Sequence, residues 1–272
     1  AYQTAPDASF VIHAGDLINN AHRDYEWAQW YKAGGFIHSQ WTAIPVVGNH
    51  EFSPLTKGDD RELAIQWRPQ FTLPVEKELD EKLHETVYTV DYQDIRIIAL
   101  NSNGMLEEQT QYIEQQLKTS TAKWNIITCH HSVFSPAEGR DFKFARKKWK
   151  PLFDQYNVDL VLNGHDHTYA RGHVPKISSS TGAENLGTIY VTSVSGPKQY
   201  PLDQQQILSY TKEGYQLDQS AEQTQFYQVI TIDQNKLTYV AYDALGEEYD
   251  RAIITKNFDT GKKKLEQMKI KK

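Results

Sequence analysis

Cysteine is almost missing from this chain, since Cys129 is the only one among 272 residues. A single cysteine excludes an internal disulfide and any metal cage built from several thiolates. Positive charge is not in excess either, because 29 Lys and Arg against 35 Asp and Glu give a formal net charge of −6. A general nucleic-acid binder carries a basic stripe, so this composition argues against that class of protein.

Long apolar runs and low-complexity linkers are also lacking. We find no stretch long enough to span a bilayer and no Pro/Gly/Ser-rich segment that divides the chain. Aromatic residues are plentiful, with 16 Tyr, 10 Phe and 6 Trp, enough for a well-filled core. We therefore expect one domain over residues 1–272, in which the last segment, 259–272, is a basic tail exposed to solvent.

The pattern of apolar residues predicts a mixed α/β (α+β) fold. Short apolar runs bounded by turn residues indicate strands at 10–14, 43–47, 86–92, 95–100, 124–129 and 158–162. Amphipathic spacing predicts helices over 22–38, 106–118 and 142–156, the last one interrupted by Pro151. The last third reads as antiparallel strands separated by turns, at 188–193, 226–232, 236–242 and 251–255.

Four of the apolar runs end in side chains that can bind a metal ion. In chain order these are Asp16, then Asn49 with His50, then His130 with His131, and finally His165 with His167. Ligands of open α/β sheets bind outside the carboxyl ends of the strands, so we expect these side chains to converge on one site. Carboxylate, amide and imidazole donors without thiolate suit Zn, Mn or Fe.

The pair His165 and His167 follows the fourth run directly. In an extended backbone the two rings would point to the same side and Asp166 to the other, because the side-chain period of a strand is two. A turn with two solvated histidines is the alternative interpretation of an isolated His-x-His. Motifs of serine hydrolases, P-loop proteins and thiol enzymes are absent from the sequence, so catalysis by metal is the remaining hydrolase chemistry.

These segments resemble the motifs of a known family. Gly15-Asp16, Gly48-Asn49-His50-Glu51, Cys129-His130 and Gly164-His165-Asp166-His167 resemble four of the five motifs of the calcineurin-like metallophosphoesterases, in the same order. Residues 130–135 and 164–171 are most similar to the purple-acid-phosphatase-like branch. The resemblance implies a four-layer α/β/β/α sandwich with a two-metal centre. The family's first motif has no counterpart in residues 1–15, so we expect the N-terminal strand to be absent from this chain.

The resemblance also implies roles for single residues. Asp16 resembles the carboxylate that bridges two metals, and His50 resembles the residue that contacts phosphate and assists the leaving group. The other ligands of one metal would be Asn49, His130 and His165, while His167 would bind the second. Arg140 could clamp a phosphate group through two hydrogen bonds, although a surface arginine fits the sequence equally well. Asn19 stands where purple acid phosphatases have a tyrosine, so we expect no purple chromophore.

The function expected from these residues is hydrolysis of a phosphomonoester or phosphodiester. Two divalent or mixed-valence ions (Mn, Zn or Fe) would provide a metal-bound hydroxide as the nucleophile. We expect a small phosphorylated substrate and no nucleic-acid partner. The composition leaves the compartment open, and the family resemblance implies a bacterial periplasmic or secreted location. One alternative is a non-catalytic remnant that binds metal or phosphate and lacks half of one metal site. A nuclease is a weaker alternative, because the charge balance is acidic.

Overall fold

The computed structural model describes residues 1–54, 56, 60–177 and 184–268. The chain divides into two compact units. We call the first the N-terminal unit; it comprises Asp7–His131 and Leu162–His165. The C-terminal unit comprises Ala1–Pro6, Ser132–Val161 and Asp166–Lys272. The expectation of a single domain over the whole chain stays a prediction.

The N-terminal unit begins with a parallel pair of short strands. Strand β1 (Phe10–His13) pairs with β2 (Thr42–Pro45), and helices α1 (Asp24–Gly34) and α2 (Ile37–Gln40) connect them. The helix predicted over 22–38 is therefore two helices. Gly35 separates them because its φ of 51° is a left-handed conformation that ends α1 and that glycine adopts without strain.

A second group of strands in this unit confirms the hairpin predicted around Gln93-Asp94. Strand β3 (Tyr88–Tyr92) pairs antiparallel with β4 (Ile95–Leu100), and β4 pairs parallel with β5 (Trp124–Cys129). Helix α3 (Trp67–Gln70) precedes the hairpin, and helix α4 (Leu106–Lys118) connects β4 to β5. All six residues of β5 are buried, as expected of a central strand covered on both faces.

The C-terminal unit starts with a helix that passes through Pro151 without a break. A π-helical segment (Ala145–Trp149) continues directly into α5 (Lys150–Gln155). The predicted interruption is wrong because the helical backbone continues through Pro151; the departure from regular α geometry is the π-helical segment directly before α5. Strand β6 (Leu160–Asn163) follows, and its last two residues belong to the N-terminal unit.

The rest of the C-terminal unit is mainly antiparallel sheet, as predicted. Strand β7 (Tyr169–Ile177) pairs with both β8 (Glu184–Thr192) and β9 (Gln216–Ala221), with helix α6 (Gln204–Ser209) in the connection. The last four strands pair in sequence order, each antiparallel to the next. They are β10 (Phe226–Asp233), β11 (Lys236–Asp243), β12 (Glu248–Lys256) and β13 (Lys263–Met268).

Strand β13 corrects the expectation of a solvated tail over 259–272. It pairs with β12, and Lys263 is only 1% exposed. The Lys263 Nζ donates to the carbonyl of Val158 at 2.8 Å and lies 3.2 Å from Asp159 Oδ1. The ion pair with the buried Asp159 carboxylate and the pairing with β12 thus order residues 263–268, which composition alone predicts to be solvated. Residues 269–272 lie outside the described part of the chain.

The helices of the described residues are short. The longest is α4, with 13 residues, and none of them has the length and apolar character needed to cross a bilayer. Mixed strands and helices confirm the predicted α/β (α+β) class.

Candidate metal centre

Four of the predicted ligands come together at one place. Donor atoms of three of them surround the Nε2 of the fourth, His130. Asp16 Oδ2 lies 3.1 Å from it, Asn49 Oδ1 3.2 Å, and His165 Nδ1 3.1 Å. Donors bound at 2.0–2.2 Å around a tetrahedral ion are roughly 3.4 Å apart, so this spacing fits a first-row metal. The donor atoms of Asp16, His130 and His165 also lie within 4.8 Å of one another. All four residues belong to the N-terminal unit.

The backbone orients the His130 ring for this role. Its Nδ1 lies 2.7 Å from the carbonyl oxygen of Ala14, which can only accept a hydrogen bond. Nδ1 therefore carries the proton, and the Nε2 lone pair faces the other donors. Burial alone would lower the pKa of His130, but the hydrogen bond and charge of Asp16 raise it above its ordinary value.

Asp16 is held by the turn that ends β1. Gly15 and Asp16 both have a positive φ, of 87° and 54°, which turns the chain sharply at the strand end. Asp16 Oδ1 accepts the backbone N–H of His50 at 2.8 Å. Burial raises the pKa of Asp16, yet hydrogen bonding and charge from His130 outweigh it and lower the pKa to about 2. The Asp16 side chain is thus a carboxylate at neutral pH.

Glu51 joins the two loops that carry Asp16 and Asn49. Its side chain is fully buried and accepts three backbone N–H groups, from Asp16 at 2.9 Å, Leu17 at 2.9 Å and Gly48 at 2.6 Å. Burial raises the pKa of Glu51 to about 7, and the charge of Asp16 raises it too. The sequence analysis assigned no role to this residue. The feature of the sequence that could have identified it is its position, since this acidic residue directly follows the Asn49-His50 pair.

Close backbone approach explains the glycine before Asn49. A Cβ on Gly48 would lie 2.1 Å from Asp16 Oδ1 and 2.4 Å from the Asp16 nitrogen. Only glycine therefore leaves room for the carboxylate ligand. A similar close approach explains Gly164, because a Cβ at this position would lie 2.8 Å from the Ala14 carbonyl oxygen.

The extended backbone on which the common side of His165 and His167 was expected is not present. His165 has a φ of 63°, a left-handed conformation, so the backbone at this position is not extended. His165 belongs to the N-terminal unit and His167 to the C-terminal unit. Within that second unit, His167 Nδ1 lies 2.9 Å from the Lys198 carbonyl oxygen, and its ring packs edge-on against Tyr200 at 4.8 Å.

Arg140 also belongs to the C-terminal unit and contacts the same tyrosine. Its Nη2 donates to Tyr200 Oη at 3.0 Å, and its Cζ lies 4.8 Å from the centre of the ring. Arg140 Nε is 3.9 Å from Asp166 Oδ1. The structure thus groups Arg140 with His167 around Tyr200, a residue that the sequence analysis did not select.

His50 lies at the rim of the metal centre. Its backbone N–H bonds to Asp16, its Nδ1 forms a short hydrogen bond with the Asn19 carbonyl, and its Nε2 is 3.8 Å from Asp16 Oδ2. The side chain is 35% exposed, so a substrate can reach it. The adjacent His131 bonds through Nδ1 to Ser102 Oγ at 2.7 Å, and its ring lies 4.2 Å from that of His165.

The structure is thus a mixed α/β fold in which donor atoms that could hold a metal ion meet at the strand ends. Residues 2–169, more than half of the chain, match the family model described as calcineurin-like phosphoesterase. The chain belongs to this family of metal-dependent phosphoester hydrolases.

Relatives and a solved structure agree with this assignment. Purple acid phosphatase 17 of Arabidopsis thaliana is 27% identical over 187 residues, 59% of this chain and 53% of that protein. An uncharacterized protein of Mycobacterium tuberculosis is 27% identical over 168 residues, 54% of this chain and 31% of that protein. The chain matches from about a third to about half of the length of these relatives.

The structure of purple acid phosphatase PPD1 from yellow lupin (Lupinus luteus) seeds superposes with a TM-score of 0.72 at 21% sequence identity. The match covers 94% of this chain and 48% of the lupin chain. At this identity the likeness shows a common fold. The sequence match to purple acid phosphatase 17 supports the purple-acid-phosphatase-like branch inferred from the motifs.

Proposed function

We propose that this chain hydrolyses phosphoesters, monoesters or diesters, at a metal centre formed by Asp16, Asn49, His130 and His165. The observation that carries this proposal is the set of three donor atoms 3.1–3.2 Å from His130 Nε2. When bound, a metal ion supplies Lewis-acid stabilisation of phosphoryl charge and lowers the pKa of water. The protein's own contribution is a fixed donor frame, which Glu51 and the Ala14 carbonyl hold in place.

His50 is the residue we propose for proton transfer to the leaving group. Its Nδ1–H donates to the Asn19 carbonyl, which fixes the ring, so Nε2 is the atom that can hold and release a proton. Asp16 Oδ2 lies 3.8 Å from this atom. A partly exposed position at the rim suits a group that must reach the substrate.

A second metal is part of this proposal, with Asp16 as the bridging ligand and His167 as a ligand of its own. Mn, Zn and Fe all suit the oxygen and imidazole donors. The non-catalytic alternative has one observation in its favour. Among the described residues, the group of at least three His, Cys, Asp or Glu donors at metal-binding distance contains Asp16, His130 and His165 but not His167. Metal analysis distinguishes the two, because a catalytic dinuclear centre needs two ions per chain.

Arg140 is proposed to bind an oxygen of the phosphate group, together with Tyr200. The Tyr200 hydroxyl accepts from Nη2 and so orients the guanidinium group, whose side chain is 28% exposed. Planar N–H donors of this kind match two phosphoryl oxygens.

We further propose small phosphorylated substrates, a single domain over residues 1–272, and the periplasmic or secreted location that the family resemblance implies.

The test is hydrolysis of p-nitrophenyl phosphate and of bis-p-nitrophenyl phosphate by protein freed of metal and then loaded with Mn, Zn or Fe. We expect metal-dependent turnover of at least one substrate by the wild type. His130→Ala should lose it. The matched change His84→Ala, at a ring whose Nε2 lies 3.1 Å from the Leu79 carbonyl oxygen, should keep it. Bound metal without turnover of either ester would contradict the catalytic proposal and favour the remnant.

A further inference from the structure

An aromatic pocket lies in the N-terminal unit at the end of β2 opposite the metal ligands. Thr42 and Ala43, the first residues of β2, line it, whereas Asn49 follows the carboxyl end of the same strand. The pocket has a volume of about 310 Å³, at the small end of the range for ligand sites. Its location separates it from the phosphoesterase chemistry proposed above.

Four aromatic rings form most of its apolar wall: Trp30, Tyr31, Trp41 and Phe71. They belong to α1, to the residue that precedes β2, and to the residue that follows α3. The His38 ring lies over Trp30 with centroids 4.2 Å apart and planes tilted by 34°. Edge contacts of Trp30 with Tyr31 at 4.9 Å and with Phe71 at 6.2 Å fix these rings relative to one another. The wall is therefore preformed.

The lining residues with polar side chains are Tyr31, His38, Ser39, Gln40, Thr42 and Gln70, which offer hydroxyls, amides and one imidazole. Among the residues that the structure describes, no Asp, Glu, Lys or Arg lines the cavity. Gln40, Ser39 and Thr42 are exposed at its edge. Such a lining offers hydrogen-bond donors and acceptors side by side. It has no carboxylate, ammonium or guanidinium group to offset the desolvation of an ion. The chemistry therefore favours a neutral ligand rich in hydroxyl groups.

We propose that this pocket binds a neutral carbohydrate, through one or two pyranose rings. The C–H face of a pyranose is weakly positive and suits the electron-rich face of an aromatic ring. Paired hydroxyls on the ring edge match the amides of Gln40 and Gln70. The ligand binds without a metal, so the inference does not depend on the proposed phosphoesterase activity.

Gly34 provides a sharp test of the His38 position. A Cβ on Gly34 would lie 1.8 Å from His38 Nε2 and 2.1 Å from its Cδ2. Gly34→Ala therefore displaces the ring of His38, which lines the pocket, and leaves the identity of every lining residue unchanged. Gly34 ends α1 without a positive φ, so alanine fits its backbone. Gly104→Ala is the matched control, because a Cβ there meets nothing within 4 Å.

The experiment is calorimetric titration of the metal-free, chelator-treated protein with maltose, cellobiose, lactose and, as a neutral aromatic competitor, adenosine. We expect millimolar or tighter binding of at least one disaccharide and weaker binding of adenosine. Gly34→Ala and the exposed variant Gln40→Ala should each weaken disaccharide binding about tenfold, the effect of losing one good contact. Gly104→Ala should bind like the wild type.

Three results would overturn the proposal: no heat with any disaccharide at millimolar concentration, unchanged affinity in both variants, or preferential binding of adenosine. Gln40→Ala keeps the test decisive if Gly34→Ala does not fold, because Gln40 is exposed and its truncation leaves the aromatic wall intact. Binding that persists with chelator present also separates this site from the metal centre.

Discussion

At the scale of single residues, the metal centre depends as much on backbone hydrogen bonds as on its ligands. Glu51 accepts N–H groups from both loops that carry oxygen ligands, and Ala14 accepts from His130. Neither residue touches the metal position. Groups that orient ligands in this way typically affect metal affinity by 10–100-fold.

We predict that Glu51→Gln weakens metal binding by roughly 10–100-fold. The amide replaces one acceptor oxygen by an NH₂ group, which then faces a backbone donor in a fully buried place. Chelator competition with Zn or Mn measures the affinity. Glu62→Gln, the same change at an exposed position, should leave it unaltered. Equal affinities of wild type and Glu51→Gln would show that the loops keep their geometry without this carboxylate.

His50 lets proton transfer be separated from metal binding. We predict that His50→Ala lowers kcat for p-nitrophenyl phosphate by roughly 10²–10⁴-fold. Its metal content should stay at the wild-type level, because the contact with Asp16 Oδ1 comes from the backbone N–H that alanine retains. Loss of metal from the variant, measured by elemental analysis, would instead assign His50 a structural role.

At the scale of elements, the sequence patterns succeed where an element is covered on both faces or strongly amphipathic. Helix α4 and strand β5 have the bounds that were predicted, Leu106–Lys118 and Trp124–Cys129. Strands β7, β9 and β13 were missed. The residues of β9 and β13 are mostly half-buried or exposed, and β7 is buried but contains Arg171, Gly172 and Pro175, so no apolar run marks any of the three. These strands form because they pair with neighbouring strands, and such pairing partners cannot be identified from a local stretch of sequence.

The loops at the strand ends carry a prediction about Gly48. Gly48→Ala places a Cβ against Asp16 Oδ1 and the Asp16 nitrogen, so the two loops must separate. We expect a fall of about 1–3 kcal/mol in the free energy of unfolding and a clear loss of metal affinity. Denaturant titration and chelator competition measure the two effects. Gly196→Ala, where a Cβ meets nothing within 4 Å, serves as the control. Unchanged metal affinity in Gly48→Ala would mean that Asp16 is not a ligand.

Strand β13 makes a pH-dependent contribution through Lys263. Burial lowers the pKa of Lys263 from 10.5 to about 8, although the charge of Asp159 opposes this. Between pH 8 and 10.5 the unfolded chain therefore binds more protons than the folded chain, so stability rises with pH in this window. Below about pH 8 the ammonium is present in both states and the penalty is constant.

We predict that the wild type gains about 1–3 kcal/mol of unfolding free energy relative to Lys263→Met across that window. Urea titrations at several pH values measure the difference. Lys264→Met, on the exposed side of the same strand, should show no such change. A difference between wild type and Lys263→Met that does not vary with pH would contradict the lowered pKa.

At the scale of the whole molecule, the motifs predicted the site better than the arguments from strand geometry did. Asp16, Asn49, His130 and His165 meet as the order of strand ends implied. The extended backbone expected at His165 and His167 is not found, because a left-handed φ at His165 is a property of the folded turn that alternation in the sequence does not reveal. The sequence analysis did not identify Glu51 and Tyr200, because they act through contacts with residues distant in the chain, Asp16 and Arg140 respectively.

The division into two units makes the number of metal ions measurable by amide hydrogen exchange. All four proposed ligands of the first metal belong to the N-terminal unit, while His167 belongs to the C-terminal unit. Because a ligand that binds only the folded state stabilises it by mass action, metal should slow exchange around its own ligands. We predict that Mn or Zn slows exchange in the segments 14–19, 47–51 and 129–131.

A second ion bound by His167 would extend this protection to the turn around His167 and to residues 198–200, which bond to it. Protection limited to the N-terminal segments, with one ion per chain by elemental analysis, would contradict the dinuclear proposal. His130→Ala should abolish the metal-induced protection in every segment, whereas His84→Ala should preserve it.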